Sequence, residues 1–83
     1  MTAGRWSVQL YQRGSRVGDR IDMNIDLDDD RRLREVLEEL VVKARGSLKL
    51  DLSQWRMEVQ TAGGGMVRRF VSVDSAGRTV VKR

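Results

Sequence analysis

The stretch of sequence that decides the fold is residues 20–46, RIDMNIDLDDDRRLREVLEELVVKARG. Its first part alternates apolar and polar residues, with Ile21, Met23, Ile25 and Leu27 at every second position. Successive side chains of a strand point to opposite faces, so this period of two predicts a strand with one buried face. Aspartates occupy positions 28–30, and the apolar spacing then changes to three and four.

The second part of this stretch predicts an amphipathic helix over about residues 29–45. Aspartates before it suit an N-cap and the positive end of the helix dipole. Lys43 and Arg45 fall in the last turn, and Gly46 stands where a C′ glycine ends a helix. The apolar residues predicted to share one helix face are Leu33, Val36, Leu37, Leu40, Val41 and Ala44.

A second strand precedes the deciding stretch. Trp6, Val8 and Leu10 occupy alternate positions in residues 5–13, which predicts another strand with one buried face. Residues 14–18, GSRVG, contain two glycines and are predicted to form the turn. Two strands joined by a short glycine-bounded connection form a hairpin.

The period returns to two after the helix. Leucines at 48, 50 and 52 have one parity, and Trp55, Met57 and Val59 have the other. Residues 53–54 are therefore predicted to form a turn, a bulge or a break, and 48–52 either pairs as a separate strand or does not. The remaining sequence predicts a flexible loop at 61–65, a strand at 66–74, a turn at 75–77 and a strand at 78–82.

These elements together predict an α+β fold in a single domain, residues 1–83. The order is a β-hairpin, one amphipathic helix (about 29–45) and two to three further strands, ββαββ(β). Each element has one apolar side to bury. We therefore expect a mostly antiparallel sheet with the helix packed on one face.

A hairpin followed by a helix that crosses the sheet resembles the opening of the β-grasp, or ubiquitin-like, superfold. The resemblance covers about residues 5–45 and implies a β-grasp-like arrangement of these elements. It is architectural, because the sequence carries no β-grasp motif and ends in residues 81–83, VKR, without a diglycine tail. The resemblance therefore implies no ubiquitin-type function.

Composition narrows the class of protein. The 83 residues are 40% hydrophobic. The longest apolar run, 40–42, is far below the roughly 18 residues of a membrane-spanning helix. No signal peptide is visible at the start, and the absence of cysteine removes disulfides and thiolate zinc sites. We expect a cytoplasmic protein that does not associate with a membrane.

The charge of the chain is unevenly distributed. The formal net charge of +4 divides into +3 in residues 1–21, −5 in residues 22–39 and +6 in residues 40–83. Arginine outnumbers lysine thirteen to three. Arginine suits planar recognition of phosphate or carboxylate, although the codon bias of a GC-rich genome is the simpler explanation.

Motifs for catalysis or metal binding fail when their spacing is checked. A calcium loop starting at Asp26 would place Arg31 and Leu37 where glycine and glutamate are required. Glycines 63–65 join two predicted strands, whereas a phosphate loop runs into a helix. The chain has no histidine or cysteine, the commonest general base and the strongest nucleophile. We predict no catalytic residue, no cofactor and no metal site.

The sheet surface that faces away from the helix is the candidate binding surface. The strand 66–74 has two partly apolar faces. We favour burial of its valines, because β-branched residues pack well on a pleated core; burial of Phe70 is the alternative. Aromatic and arginine side chains together are typical of interfaces. The predicted partner-binding residues are Tyr11, Arg13, Arg20, Arg56, Arg68, Phe70 and Arg78.

The leading hypothesis is a small non-enzymatic protein-interaction module. It would be an adaptor, an inhibitor or a self-associating accessory protein of bacterial or phage type, with another protein or a second copy as partner. It would act through the arginine and aromatic sheet face or through an exposed strand edge.

The alternative hypothesis is a nucleic-acid-binding domain that uses the basic strands. The acidic helix start argues against it, because phosphate contact requires basic residues. The residues that would contact nucleic acid are Arg5, Arg13, Arg16, Arg20, Arg56, Arg68, Arg69, Arg78, Lys82 and Arg83.

Overall fold

A computed structural model describes the backbone of residues 3–46, 52–61 and 66–82. The side chains of residues 3, 67 and 68 lie outside this description. The elements in chain order are β1 (Ala3–Gln12), β2 (Ser15–Asp26), α1 (Asp30–Arg45), a 3-10 turn (Leu52–Gln54), β3 (Trp55–Thr61), β4 (Val67–Val73) and β5 (Thr79–Lys82).

The five strands form one sheet in the order β2-β1-β3-β4-β5, and every neighbouring pair is antiparallel. The helix α1 packs on one face of this sheet and contacts all five strands. The predicted α+β fold is confirmed. The hairpin and helix that resemble the β-grasp opening are β1, β2 and α1, and the later strands continue from the other side of β1 as an antiparallel meander.

Local sequence signals set both ends of α1 as predicted. Asp29 is the N-cap, and its Oδ1 accepts a hydrogen bond from the backbone N–H of Arg32 at 3.1 Å. Gly46 ends the helix in the left-handed region with φ 77°, and its N–H donates to the carbonyl of Val42 at 2.6 Å.

One core lies between α1 and the sheet. The helix contributes five of its six predicted apolar residues. Ala44 is the exception: it is exposed and lines an open groove of about 400 Å³ between the end of α1 and β2. The buried hydrophobic residues are Val8, Leu10, Ile25, Leu27, Leu33, Val36, Leu37, Leu40, Val41, Trp55, Met57, Val59, Val71 and Val73.

The β1–β2 turn is shorter than predicted. Only Arg13 and Gly14 form it, with φ values of 51° and 84°, and β2 already begins at Ser15. Two successive residues with positive φ form the tight turn whose twist matches a hairpin. The prediction of a five-residue turn over 14–18 is therefore wrong.

Gly18, the other predicted turn glycine, lies within β2. There three residues, 18–20, stand between Val17 and Ile21 and face only Gln9 of β1. The Nε2 of Gln9 donates to the carbonyls of Val17 at 3.3 Å and Gly18 at 3.1 Å. The side chain of Gln9 thus supplies hydrogen bonds where the backbone ladder is interrupted.

The parity break between the leucines and Trp55 is a turn. Residues 52–54 form the 3-10 turn, and the carbonyl of Gln54 accepts from the N–H of Arg13 at 3.1 Å. The prediction that 48–52 either pairs as a strand or does not concerns mostly residues 48–51, which lie outside the described residues. Residues 62–65 of the predicted loop lie outside them as well.

The predicted face of β4 is confirmed where side chains are described. Val71 and Val73 are buried, and Phe70 faces away from the helix. Arg69 shares the helix side with the valines, and its Nη2 lies 4.0 Å from Oδ1 of Asp28. Across the described ranges, α1 is too short and too polar for a membrane span, and no other helix qualifies.

Candidate functional site

The candidate site lies on the outer face, which we define as the sheet face opposite α1. Alternation along β3 positions the side chains of this face. Trp55, Met57 and Val59 point into the core, and the residues between them point outward. Tyr11 pairs directly with Arg56 across β1 and β3, and Glu58 pairs directly with Phe70 across β3 and β4.

Arg56 lies against two aromatic rings at the centre of this face. Its guanidinium carbon is 5.4 Å from the ring centroid of Tyr11 and 5.2 Å from that of Phe70. Both distances are within the range of cation–π attraction, about 0.5–1 kcal/mol per pair at exposed sites. We call Tyr11, Arg56, Glu58 and Phe70 the Arg56 cluster.

Glu58 supplies the negative charge of the cluster. Its Oε1 lies 3.6 Å from Nη2 of Arg56, and the two side chains are 13% and 48% exposed. At this distance the contact is a loose ion pair, which contributes little to stability in water. The guanidinium is therefore positioned by two rings and one carboxylate while about half of its side chain stays accessible.

Buried polar side chains lie beside the Arg56 cluster on the outer face. Ser7 of β1 pairs directly with Gln60 of β3, and their side chains are turned away from α1. They are 1% and 9% exposed. In the part of the chain that the structure describes, the Oγ of Ser7 and the Oε1 of Gln60 have no hydrogen-bond partner. Unsatisfied buried polar atoms cost free energy and are rare in folded proteins.

The structure brings together three of the seven predicted partner-binding residues, Tyr11, Arg56 and Phe70. Arg13 lies in the β1–β2 turn, and Arg20 lies at the irregular stretch of β2. Arg78 lies in the β4–β5 turn, where its N–H donates to Oδ1 of Asp74 at 2.8 Å. These three arginines are exposed and contribute separate charges around the sheet. The side chain of the seventh residue, at position 68, lies outside the description.

Sequence reasoning did not select Glu58, Ser7 or Gln60 as site residues, and it named Lys82 only as a residue that would contact nucleic acid. Lys82 pairs directly with Phe70 on the outer face. Alternation with the core residues of β1 and β3 places Ser7, Glu58 and Gln60 on the outer face. Val80 and Val81 lie on opposite faces of β5, so the sequence alone does not assign the face of Lys82. The direct neighbours of these residues are set by the register between strands that are distant in the chain, and no local signal reports that register.

Two aspartates of the acidic stretch at the helix start accept hydrogen bonds from the backbone. Oδ1 of Asp26 accepts from the N–H of Asp28 at 2.9 Å, and Asp29 caps the helix. Among the described residues, no group of three or more acidic side chains forms a metal-binding cluster.

A concave surface also lies on the helix side of the sheet, beside β2. This is the open groove between α1 and β2, and its floor is apolar with Asp19 and Lys43 among its lining residues. Val17 and Ile21 of β2 line it and are only half-buried.

Comparisons with protein families, with curated proteins and with solved structures find no match for the chain.

Proposed function

We propose that this chain is a non-enzymatic protein-interaction module that binds an acidic segment of a partner protein on its outer face. The observation that carries the proposal is the position of Arg56 between Tyr11 and Phe70. Arginine and aromatic residues that cluster at the centre of a surface are typical binding hot spots.

The chemistry of the cluster favours a carboxylate as the group that Arg56 binds. A guanidinium has five donors in a planar fork that matches a carboxylate, and Glu58 at 3.6 Å leaves most of them available. The rings hold the guanidinium in place, so less side-chain entropy is lost when a partner binds. Lys82 adds a further positive charge beside Phe70.

A protein partner fits the outer face better than a nucleic acid. Base stacking requires open aromatic rings, and each ring of the cluster already has the Arg56 guanidinium within 5.4 Å.

Selection from a displayed peptide library on the immobilised protein tests the proposal. Selected peptides should be enriched in aspartate and glutamate, and Arg56→Ala should weaken their binding at least about tenfold, the size of a hot-spot loss. Arg31→Ala is the matched control, since Arg31 is an exposed arginine on α1, and it should bind like the wild type.

The nucleic-acid alternative has its own readout in the same set of proteins. Binding to generic DNA and RNA that falls steeply with salt, and that is lost in Arg56→Ala, would replace the proposal by that alternative. Failure to select acidic peptides, or equal binding by the wild type and Arg56→Ala, would contradict the proposal directly.

A further inference from the structure

Strand β2 presents a long backbone edge. It has 12 residues, and within the described residues it pairs on one side only, with β1. The register shows which backbone groups point to the other side. The N–H of Arg13 donates to the carbonyl of Gln54, the residue before β3. The backbone groups of the odd-numbered β1 residues therefore point towards β3.

The backbone groups of the even-numbered β1 residues therefore bond to β2. The β2 residues opposite them are 15, 17, 21, 23 and 25. The backbone N–H and C=O groups of the alternate residues Arg20, Asp22 and Asn24 consequently point away from β1, along the open edge.

The part of this edge that can accept another strand is residues 21–25, flanked by the side chains of Arg20 and Asp26. The backbone carbonyl of Asp26 already accepts from the N–H of Asp29 at 3.1 Å. From Ile21 to Asp26 the register with β1 is continuous, whereas residues 18–20 bulge against a single residue of β1. Bulges and charged side chains protect an edge from pairing with an arbitrary strand. A partner for this edge must therefore match its charges and avoid residues 18–19.

We propose that the partner of this edge is a second copy of the chain, with the two β2 strands antiparallel and Met23 facing Met23 of the second copy. In this register Asp22 lies opposite Asn24 of the other copy, and Arg20 lies opposite Asp26 of the other copy. Each pair occurs twice about the two-fold axis, as in any isologous contact.

The charge order selects this register over its neighbours. A shift by one hydrogen-bonding step in one direction places Asp22 opposite Asp22 of the second copy. The same shift in the other direction places Asp22 opposite Asp26. Like charges directly opposite each other are destabilising on a sheet, so both shifted registers carry a repulsion that the centred one lacks.

Apolar residues beside the edge are also consistent with a second copy. Ile21 and Met23 lie on the helix side of β2 and are only half-buried. Ile21 lines the groove next to Leu40 and Ala44 of α1. Antiparallel pairing would join two five-stranded sheets into one of ten, with both helices on the same face. The two grooves would then adjoin across the axis and bury more of these side chains.

Cysteine substitution tests the register directly, because the chain has no cysteine of its own. Met23 is a non-hydrogen-bonded pair with its copy, with Cα atoms about 4.5 Å apart, which suits a disulfide. Met23→Cys should form a covalent dimer under mild oxidation. In Ile21→Cys the two sulfurs would be offset by four residues, about 14 Å along the strand, and no dimer should form.

A charge series that leaves the fold unchanged gives a second readout. Asn24→Asp is isosteric and exposed, and within the chain it faces Arg5, so the monomer should stay folded. Between copies it creates two Asp–Asp contacts and should raise the dimer dissociation constant about tenfold. Asp22→Asn together with Asn24→Asp should restore wild-type association, measured by sedimentation velocity.

This inference does not rest on the proposed function, and the two can fail separately. Arg56→Ala should leave the dimer intact, and Asn24→Asp should leave peptide binding intact. A monomer at millimolar concentration, a disulfide in Ile21→Cys with none in Met23→Cys, or an Asn24→Asp dimer as tight as the wild type would each overturn the inference.

Discussion

The guanidinium carbon of Arg56 on β3 lies 5.2 Å from the ring centroid of Phe70 on β4, although the two residues are diagonal neighbours. Direct pairs on this face are Arg56 with Ser72 and Glu58 with Phe70. Long side chains reach diagonal neighbours across an antiparallel pair. Ser72 is small, and Glu58 beside the ring attracts the guanidinium, so the diagonal contact is the one that forms.

Removal of the Arg56 side chain should reduce stability measurably even without a partner. Arg56→Ala loses two cation–π contacts and should lower the free energy of unfolding by about 1 kcal/mol. Urea unfolding gives the value, with Arg31→Ala as the control that should change it by less than about 0.5 kcal/mol. Equal effects of the two substitutions would mean that the rings do not stabilise Arg56.

Truncation of Gln9 should destabilise the β1–β2 hairpin. Gln9→Ala removes the donor to the carbonyls of Val17 and Gly18, and we expect a loss of about 1–2 kcal/mol. Gln12→Ala on the same strand is the comparison, since its Oε1 accepts a hydrogen bond from the exposed Arg45 side chain and does not bridge an interrupted backbone ladder. Amide hydrogen exchange should accelerate in β2 for Gln9→Ala alone. Unchanged protection of β2 would contradict this role of Gln9.

The cap of α1 should depend on one aspartate of the three. Asp29→Ala removes the acceptor for the N–H of Arg32 and should cost about 1 kcal/mol. Asp30→Ala removes an acid of the first turn that is not the N-cap and should cost less, about 0.3–0.5 kcal/mol. Thermal unfolding followed by circular dichroism ranks the two. The reverse order would show that charge, and not the cap, stabilises this end.

Two methionines should respond very differently to truncation. Met57 is fully buried beneath α1, so Met57→Ala should cost about 2–5 kcal/mol through lost burial and a residual cavity. Met66 is 58% exposed, so Met66→Ala should change stability by less than about 0.5 kcal/mol. Chemical denaturation of both variants measures the contrast. A large effect at Met66 would place that side chain in a contact outside the described structure.

Features that depend on near neighbours in the chain were predictable. The change of period after Leu27 located the border between strand and helix. One of the three predicted aspartates, Asp29, caps the start of the helix, and Gly46 ends it as expected. These signals are local, because a cap or an apolar stripe depends on residues within four positions of each other. The position of the turn at Arg13 and Gly14 was harder to predict. Gly18 is also a glycine with positive φ, but it lies within β2 and not in the turn.

The candidate site was predictable only in part, for a physical reason. Strand parity placed Tyr11 and Arg56 on the outer face, because alternate side chains of a strand point to opposite faces whatever the strand pairs with. Parity left two faces open for β4, and only the preference for burying its valines favoured Phe70 on the outer face. That these three meet, and that Arg13, Arg20 and Arg78 do not join them, follows from strand order and register. Register is decided by burial of the core and by hydrogen bonding between strands far apart in sequence, so only the tertiary structure shows it.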